Sequence, residues 1–458
     1  MVWEGRNLLV PPYPDGLRVS PPPGTNPLAP TPLGNTPHLV QDCQSTTDIA
    51  NSMKLKHLTL ENFRACDHLD LEIGSRLTVL LGNNGSGKTS VLDGIAIGLG
   101  AVLTHLPSVS GITFKENGDI RQFNNVAAPY VRVALTTAEG LAWDRIKRRD
   151  KSKATAKATP SPLGLKSLEA YLDEAVIDKM NSGEQYQLTM MAYYGVSRAV
   201  LQVPLRRKGF PKSHTRLEAL KQALEAQSSF KSAFIWFYNK ENEENRLQRE
   251  RRSFDVTLKE LDAVRSAIGS VFPDISHPHI EVNPLRLAVT INGETLDLMQ
   301  LSDGYKTLLG LVIDLSMRMG LANPHLDNPL TAEAIVMIDE VDLHLHPSWQ
   351  QRVLADLLRT FPNTQFIMTT HSPFVVETLN NHLKRHKLGP DSTGDKDIDG
   401  LLPLSLNDVR AYRMENSEKY PLIDDETGLV DNTLLPHFNQ INRLYDRMRD
   451  LEWNQKDD

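Results

Sequence analysis

The sequence has few cysteines, no excess of positive charge and no long apolar run, which argues against disulfide-rich, general nucleic-acid-coating and membrane-spanning proteins. Its 458 residues include only two cysteines, Cys43 and Cys66, too few for a disulfide framework and typical of a reducing compartment. The net charge of -7 argues against a general nucleic-acid coat, so contacts with DNA would come from local basic patches. No apolar run reaches the roughly 20 residues that cross a bilayer, and no secretory signal is evident. A cytoplasmic location without membrane contact is therefore expected.

Proline, in contrast, is concentrated near the N-terminus. Ten of the 28 prolines fall between Pro11 and Pro37, among glycine, serine, threonine and asparagine. Such a segment buries too little apolar surface to offset its ordering entropy, so residues 1–52 are predicted to be a disordered tail. An alternating strand pattern begins at Met53 and marks the expected start of folded structure.

A phosphate-binding pattern follows the strand predicted at 77–81. The segment Gly82-Asn83-Asn84-Gly85-Ser86-Gly87-Lys88-Thr89 fits GxxxxGK[ST], and Ser90 begins an apolar helical pattern. In such a P-loop the backbone N–H groups and the helix N-terminus bind phosphate. The lysine reaches the β- and γ-phosphates and the threonine holds Mg²⁺. We therefore expect residues 82–90 to bind ATP and Thr89 to ligate Mg²⁺.

Two carboxylates end another apolar strand, about 250 residues further along the chain. Asp339 and Glu340 follow residues 334–338, and ligands bind at the carboxyl ends of parallel strands. We expect Asp339 to orient Mg²⁺ and Glu340 to act as general base on the attacking water. The alternative is that both acids cap the next helix. His371 also follows a strand, and there it is expected to sense the γ-phosphate.

A second anion-binding pattern precedes a long apolar helix predicted at 305–319. Leu301-Ser302-Asp303-Gly304 places serine and glycine backbone at a helix start, where an anion can bind. Its distance from the P-loop in sequence favours a role at the nucleotide of another subunit. Alone, Ser302 would be interpreted as an ordinary N-cap.

The order of these motifs resembles that of ABC-type ATPases of the RecF/SMC branch. Leu60-Glu61-Asn62-Phe63-Arg64 followed by the P-loop is similar to the opening of those proteins. Residues 301–304 match their signature motif, Asp339 and Glu340 their Walker B motif, and His371 their switch histidine. Within the branch, segments 193–198, 343–350 and 370–373 resemble ATPase subunits of Septu and retron-associated anti-phage systems.

The resemblance implies an α/β fold: an ABC-ATPase head with a mixed sheet, an antiparallel β subdomain and a short helical insertion. It implies an ATPase whose protomers pair head to tail, so that Lys88 of one faces Ser302 and Gly304 of the other across ATP. A homodimer or a larger, even-numbered homo-oligomer follows. An HNH-type nuclease partner, regulated by the ATPase in anti-phage defence, is also implied. Arg64 is carried over as a nucleotide-binding residue and Gln122 as a metal ligand.

The expected organisation has five parts. The tail (1–52) is followed by an ATPase lobe with the P-loop (53–200) and a helical insertion (201–275). A second ATPase lobe carries the remaining motifs (276–383), and a linker with a C-terminal helical partner-binding region completes the chain (384–458). The insertion is too short for a long coiled coil.

Other functions remain open at this point. The chain could be a RecF-like DNA-repair ATPase acting on ends or gaps, or a nucleotide-sensing scaffold in which Asp303 slows hydrolysis. The basic run from Arg145 to Lys153 is a candidate DNA contact. About 75 residues follow residue 383 without an acidic metal-binding set, so no nuclease activity of its own is predicted.

Overall fold

The computed structural model describes residues 52–116, 118–199, 214–226, 230–389, 393–424 and 426–430. Residues 1–51 of the predicted tail, and 432–451 of the predicted C-terminal region, lie outside the described residues. Among the helices that are described, none is both long enough and apolar enough to cross a membrane.

A six-stranded sheet forms the centre of the fold. Its strands are β3 (Leu77–Leu81), β8 (Met190–Tyr194), β12 (Ala334–Ile338), β13 (Thr364–Thr370), β14 (Val409–Glu415) and β15 (Glu418–Pro421). The order is β15-β14-β3-β13-β12-β8, and all neighbours are parallel except the β14–β15 hairpin. Every residue of β3, β8, β12 and β13 is buried, as expected for parallel strands that are covered on both faces.

An antiparallel sheet lies on the other side of the P-loop helix. It has the order β2-β1-β6-β7, with β1 (Leu55–Phe63), β2 (Cys66–Glu72), β6 (Tyr130–Thr137) and β7 (Ala142–Arg148). The helix α1 (Lys88–His105) packs against both sheets. A Cβ atom at Gly98 would lie 2.5 Å from Leu135 Cδ1, so glycine allows the close approach. The expected α/β head with an antiparallel subdomain is confirmed.

The described part of the insertion contains two consecutive helices rather than a long coiled coil. Helix α5 (Phe230–Arg251) is followed by α6 (Lys259–Val271), and α6 packs on α7 (Asp303–Ala322). A three-stranded antiparallel sheet joins α6 to α7, with β9 (Ile275–Val282), β10 (Leu285–Ile291) and β11 (Glu294–Asp297).

The remaining elements are short or peripheral. They are β4 (Gln122–Phe123), β5 (Val126–Ala127), α2 (Lys153–Ala158), α3 (Lys166–Leu172), a π-helix (Asp173–Ile177), α4 (Asp178–Ser182), α8 (Pro347–Gln350), α9 (Val353–Thr360), α10 (Pro373–Lys387) and α11 (Lys396–Asp399).

The described part of the C-terminal region contains two strands that the sequence did not predict, whereas the helix predicted at 432–451 lies outside the described residues. Residues 409–421 form β14 and β15, and β14 pairs with the P-loop strand β3. The polar residues Arg410, Arg413 and Glu415 interrupt β14, so the sequence lacks the continuous apolar run that marked the other central strands.

One buried amide joins the two sheets. The Gln365 side chain accepts a hydrogen bond from Leu55 N–H at 2.8 Å and donates to Leu55 O at 2.6 Å and Gly74 O at 2.8 Å. Gln365 lies on β13 and has no solvent exposure. It therefore satisfies three backbone groups of the antiparallel subdomain from the central sheet.

Replacement of this amide tests the junction. We expect Gln365→Leu to lower the free energy of unfolding by roughly 3 kcal/mol, because buried backbone groups without partners cost about 1–3 kcal/mol each. The exposed Gln351→Leu serves as control and is expected to change stability by less than about 0.5 kcal/mol. Equal changes in the free energy of unfolding for the two variants, measured by urea unfolding, would contradict this role of Gln365.

Candidate nucleotide-binding site

The P-loop adopts a conformation that requires glycine. Gly85 has φ +78° and Gly87 has φ +102°, and Gly87 directly precedes α1. A Cβ atom at Gly87 would lie 3.1 Å from the Oγ of Ser417. The sequence pattern at 82–87 therefore reflects both backbone torsion and close packing.

Lys88 is held inside the loop that it follows. Its Nζ donates to the carbonyls of Gly82 and Asn83, at 2.7 and 2.9 Å, and lies 3.2 Å from His371 Nε2. Burial lowers the pKa of Lys88, and the carboxylate of Asp339 opposes this shift. The ammonium group thus lies between the loop and the proposed sensor histidine.

Two of the three predicted magnesium ligands, from distant parts of the chain, lie in contact. Thr89 Oγ1 donates to Asp339 Oδ2 at 2.9 Å, and Thr369 Oγ1 donates to the other carboxylate oxygen at 2.6 Å. The Asp339 side chain is buried. A hydroxyl and a carboxylate fit Mg²⁺, which is usually bound by one or two protein oxygens together with substrate phosphates.

Glu340 and His371 lie beside this pair. The Nε2 atom of His371 is 3.6 Å from Glu340 Oε1, and each side chain is 32% exposed, so both are accessible to a substrate. The backbone N–H of Glu340 donates to Thr369 Oγ1 at 2.7 Å. Asp342 fixes the strand end that carries His371, because it accepts from Thr370 Oγ1 at 2.6 Å.

A turn that sequence reasoning missed forms one wall of the site. A cleft of about 520 Å³ is lined by P-loop residues 81–86, by His371 and by residues 413–416. Asn416 and Ser417 both have positive φ, as in a two-residue hairpin turn, and Ser417 N–H donates to Ser86 O at 3.0 Å. The available signal was the short Asn-Ser turn between two polar, β-prone segments.

The signature segment forms the start of α7. Ser302 is the exposed N-cap of α7, but its side chain makes no capping hydrogen bond. Among the described residues, no hydrogen bond or ion pair joins Ser302 or Gly304 to the P-loop. Asp303 pairs instead with Lys306 at 2.7 Å. Ser302 therefore lacks the side-chain hydrogen bond that an ordinary N-cap serine makes.

Two other predicted residues have different surroundings. The guanidinium of Arg64 contacts Asp93 Oδ2 at 2.5 Å and Asp119 Oδ1 at 3.0 Å, so two carboxylates hold it. Gln122 is exposed in β4, where it pairs with Ala127. Within the described part of the chain, no hydrogen bond joins Gln122 to Thr89 or Asp339. Ser90 lies half-buried in the first turn of α1.

The basic run is only partly available to a ligand. Arg145 Nη1 donates to the carbonyls of Ile97 and Ile112, and Lys147 Nζ donates to Lys115 O. Arg148, Lys151 and Lys153 are exposed, as is Arg149, which pairs with Asp150.

Comparisons with known proteins identify two families that match this chain. A family described as "AAA domain" matches residues 57–270, and one described as "AAA domain, putative AbiEii toxin, Type IV TA system" matches residues 207–377. Stretches covering about a tenth of the chain also match SMC and RecF proteins.

Longer matches link the chain to three curated relatives. It is 27% identical to the "Retron Vc95 probable ATPase" of Vibrio cholerae serotype O1 biovar El Tor, over 72% of each chain. It is 29% identical to the "Retron Ec83 probable ATPase" of Escherichia coli, over 72% of this chain and 70% of that protein. It is 36% identical to the "Septu protein PtuA" of Bacillus thuringiensis, over 36% of this chain and 40% of that protein.

Two glycine-to-alanine substitutions test whether the P-loop requires a positive φ. One lies in the P-loop, and the other controls for the general effect of an added methyl group on stability. We expect Gly87→Ala to lower the free energy of unfolding by about 1–2 kcal/mol, because alanine is strained at this φ, and to weaken ATP binding. Gly269→Ala, in α6 with nothing within 4 Å of the new Cβ, should instead raise stability by up to about 1 kcal/mol. Thermal unfolding and nucleotide titration measure both, and unchanged ATP affinity in Gly87→Ala would refute the site assignment.

Proposed function

We propose that this chain, which belongs to the ABC-type ATPases of the RecF/SMC-like branch, hydrolyses ATP between two head-to-tail copies and thereby regulates an HNH-type nuclease partner in anti-phage defence. The observation that carries the proposal is that, among the described residues, no hydrogen bond or ion pair joins Ser302 or Gly304 to the P-loop of the same chain, as expected for two half-sites. One half holds the P-loop with Asp339, Glu340 and His371, and the other presents the exposed Ser302 at the start of α7.

The second half-site has the features needed to bind a phosphate from outside. Helix α7 is 20 residues long, and its N-terminus carries unpaired N–H groups and a positive dipole end. A Cβ atom at Gly304 would lie 2.7 Å from His344 O, so glycine lets the helix start approach the segment that follows Glu340. A second copy could therefore supply its P-loop nucleotide to this surface.

The first half-site has the groups for hydrolysis. Lys88 would exchange its loop carbonyls for the β- and γ-phosphate oxygens. Thr89 and Asp339 would hold Mg²⁺, which neutralises charge developing on the phosphates. Glu340 would accept a proton from the attacking water, and His371 would contact the γ-phosphate. Arg64 and Gln122 remain candidate nucleotide and metal contacts, with Arg64 leaving its two carboxylates for that purpose.

Mixed protomers test the shared site. Lys88→Ala and Ser302→Arg should each abolish ATP turnover in a homodimer, because every site contains the defect. A 1:1 mixture should regain up to roughly a quarter of wild-type turnover, since half of the dimers would carry one intact site of two. Turnover in the mixture no greater than the sum of the separate variants would contradict head-to-tail pairing.

The nuclease partner is proposed from the relatives, two of which are named as retron ATPases and one as a Septu protein. The ATP-bound dimer would restrain the nuclease, and hydrolysis or depletion of ATP would license cleavage. DNA contact is proposed through the exposed residues Arg148, Lys151 and Lys153, and such contacts with phosphates would weaken as salt rises.

The nuclease step is tested with the purified complex. We expect wild-type complex to cleave DNA once ATP is consumed, whereas a complex containing Glu340→Gln stays silent in Mg·ATP because the dimer cannot open. The variant alone must still bind ATP, which a nucleotide titration checks. DNA degradation by the ATPase chain without its partner, or equal cleavage by both complexes, would rule out this regulation.

A further inference from the structure

A buried arginine beside the catalytic carboxylates has no role in the site described so far. Arg198 follows β8 and is 3% exposed. Its Nη1 donates to Gly195 O at 3.0 Å and to Asp339 O at 2.5 Å, and its Nη2 donates to Glu340 O at 2.5 Å. All three hydrogen bonds go to backbone carbonyls rather than to carboxylate oxygens.

The peptide that Arg198 holds has an unusual conformation. Glu340 has φ +49°, in the left-handed region that residues other than glycine seldom adopt. Such a torsion persists only where its surroundings impose it, and it is common at active sites. Thr369 holds the Glu340 N–H from one side, and Arg198 holds the Glu340 carbonyl from the other. The direction of the Glu340 side chain therefore depends on both contacts.

The sheet explains how Arg198 reaches this position. Strands β8 and β12 are parallel and in register, with Tyr194 opposite Ile338, and Asp339 N–H donates to Tyr194 O at 2.8 Å. The turn after β8 consequently lies beside the end of β12. Gly195 is needed there, because a Cβ atom would lie 2.7 Å from Ala226 O.

Arginine suits this task better than lysine. The planar guanidinium presents several donors in fixed directions, whereas an ammonium group is a compact point charge. Burial lowers the pKa of Arg198 to about 10, and the charges of Asp339, Glu340 and Asp342 oppose the shift, so the group stays protonated at neutral pH. It can thus donate to several carbonyls and offset nearby carboxylate charge.

We infer that Arg198 is a positioning residue for ATP hydrolysis, which fixes the Asp339–Glu340 backbone so that the Glu340 carboxylate faces the attacking water. This inference rests on the proposed role of Glu340 as general base. Arg198 acts through backbone geometry and does not touch ATP. Its loss should therefore impair turnover much more than nucleotide binding.

The test uses the full chain with Arg198→Lys and Arg198→Gln. We expect kcat to fall by roughly 100-fold, the loss produced by a misplacement of about 1 Å, with KM and ATP affinity nearly unchanged. Arg216→Lys is the matched control, because Arg216 also donates to two backbone carbonyls, those of Ala322 and Tyr186, away from Asp339 and Glu340. Its kcat should equal that of wild type.

A double-substitution cycle distinguishes positioning from general destabilisation. In a Glu340→Gln background, Arg198→Lys should cause no further loss of turnover, because the residue acts through Glu340. Wild-type kcat in both Arg198 variants, or the same fold-loss with and without Glu340, would overturn the inference. Absence of ATP turnover in the wild-type chain would instead count against the proposed function.

Discussion

The proposed nucleotide site depends on the two hydrogen bonds that the Asp339 carboxylate accepts. One of its oxygens accepts from Thr89 at the start of α1, and the other accepts from Thr369 near the end of β13. It therefore ties together the P-loop helix, β12 and β13, which are far apart in sequence but adjacent in space. Because Thr369 also accepts from the Glu340 N–H, the same hydroxyl couples the proposed metal ligand Asp339 to the proposed base.

Carboxylates and buried cations lie close together around Asp339. Asp339, Glu340 and Asp342 concentrate three carboxylates at one strand end, and two buried cations of the described residues, Lys88 and Arg198, face them. Lys88 is held by carbonyls of a loop that would bind phosphates, whereas Arg198 is held by carbonyls of the polypeptide core. Nucleotide binding would thus move one cation and leave the other in place. This division separates substrate binding from maintenance of the catalytic geometry.

The predictable part of the site consists of residues whose backbone environment dictates their identity. Gly85 and Gly87 were recognisable because positive φ requires glycine, and Asp339 was recognisable because it ends a fully buried strand. Those signals are local in sequence. They were enough for the α/β head and for the meeting of Thr89 with Asp339.

The missed parts depend on contacts between distant segments. Arg198 resembles any polar turn residue until β8 is placed beside β12. Strand β14 has a mixed burial pattern, so neither its pairing with β3 nor the contact of the following turn with the P-loop could be inferred from periodicity. For Arg64, nothing local indicated that Asp93 and Asp119 would hold its guanidinium.

The hairpin turn against the P-loop has a consequence for the order in which the protein acquires its activity. The loop emerges from the ribosome early, but the wall formed by residues 413–416 is synthesised more than 300 residues later. Until that segment has emerged, β3 lacks its neighbour β14 and Ser86 O lacks the Ser417 N–H. A nascent chain would therefore carry every sequence motif before it had a complete nucleotide cleft. Nucleotide-driven assembly would be delayed until most of the chain had been made.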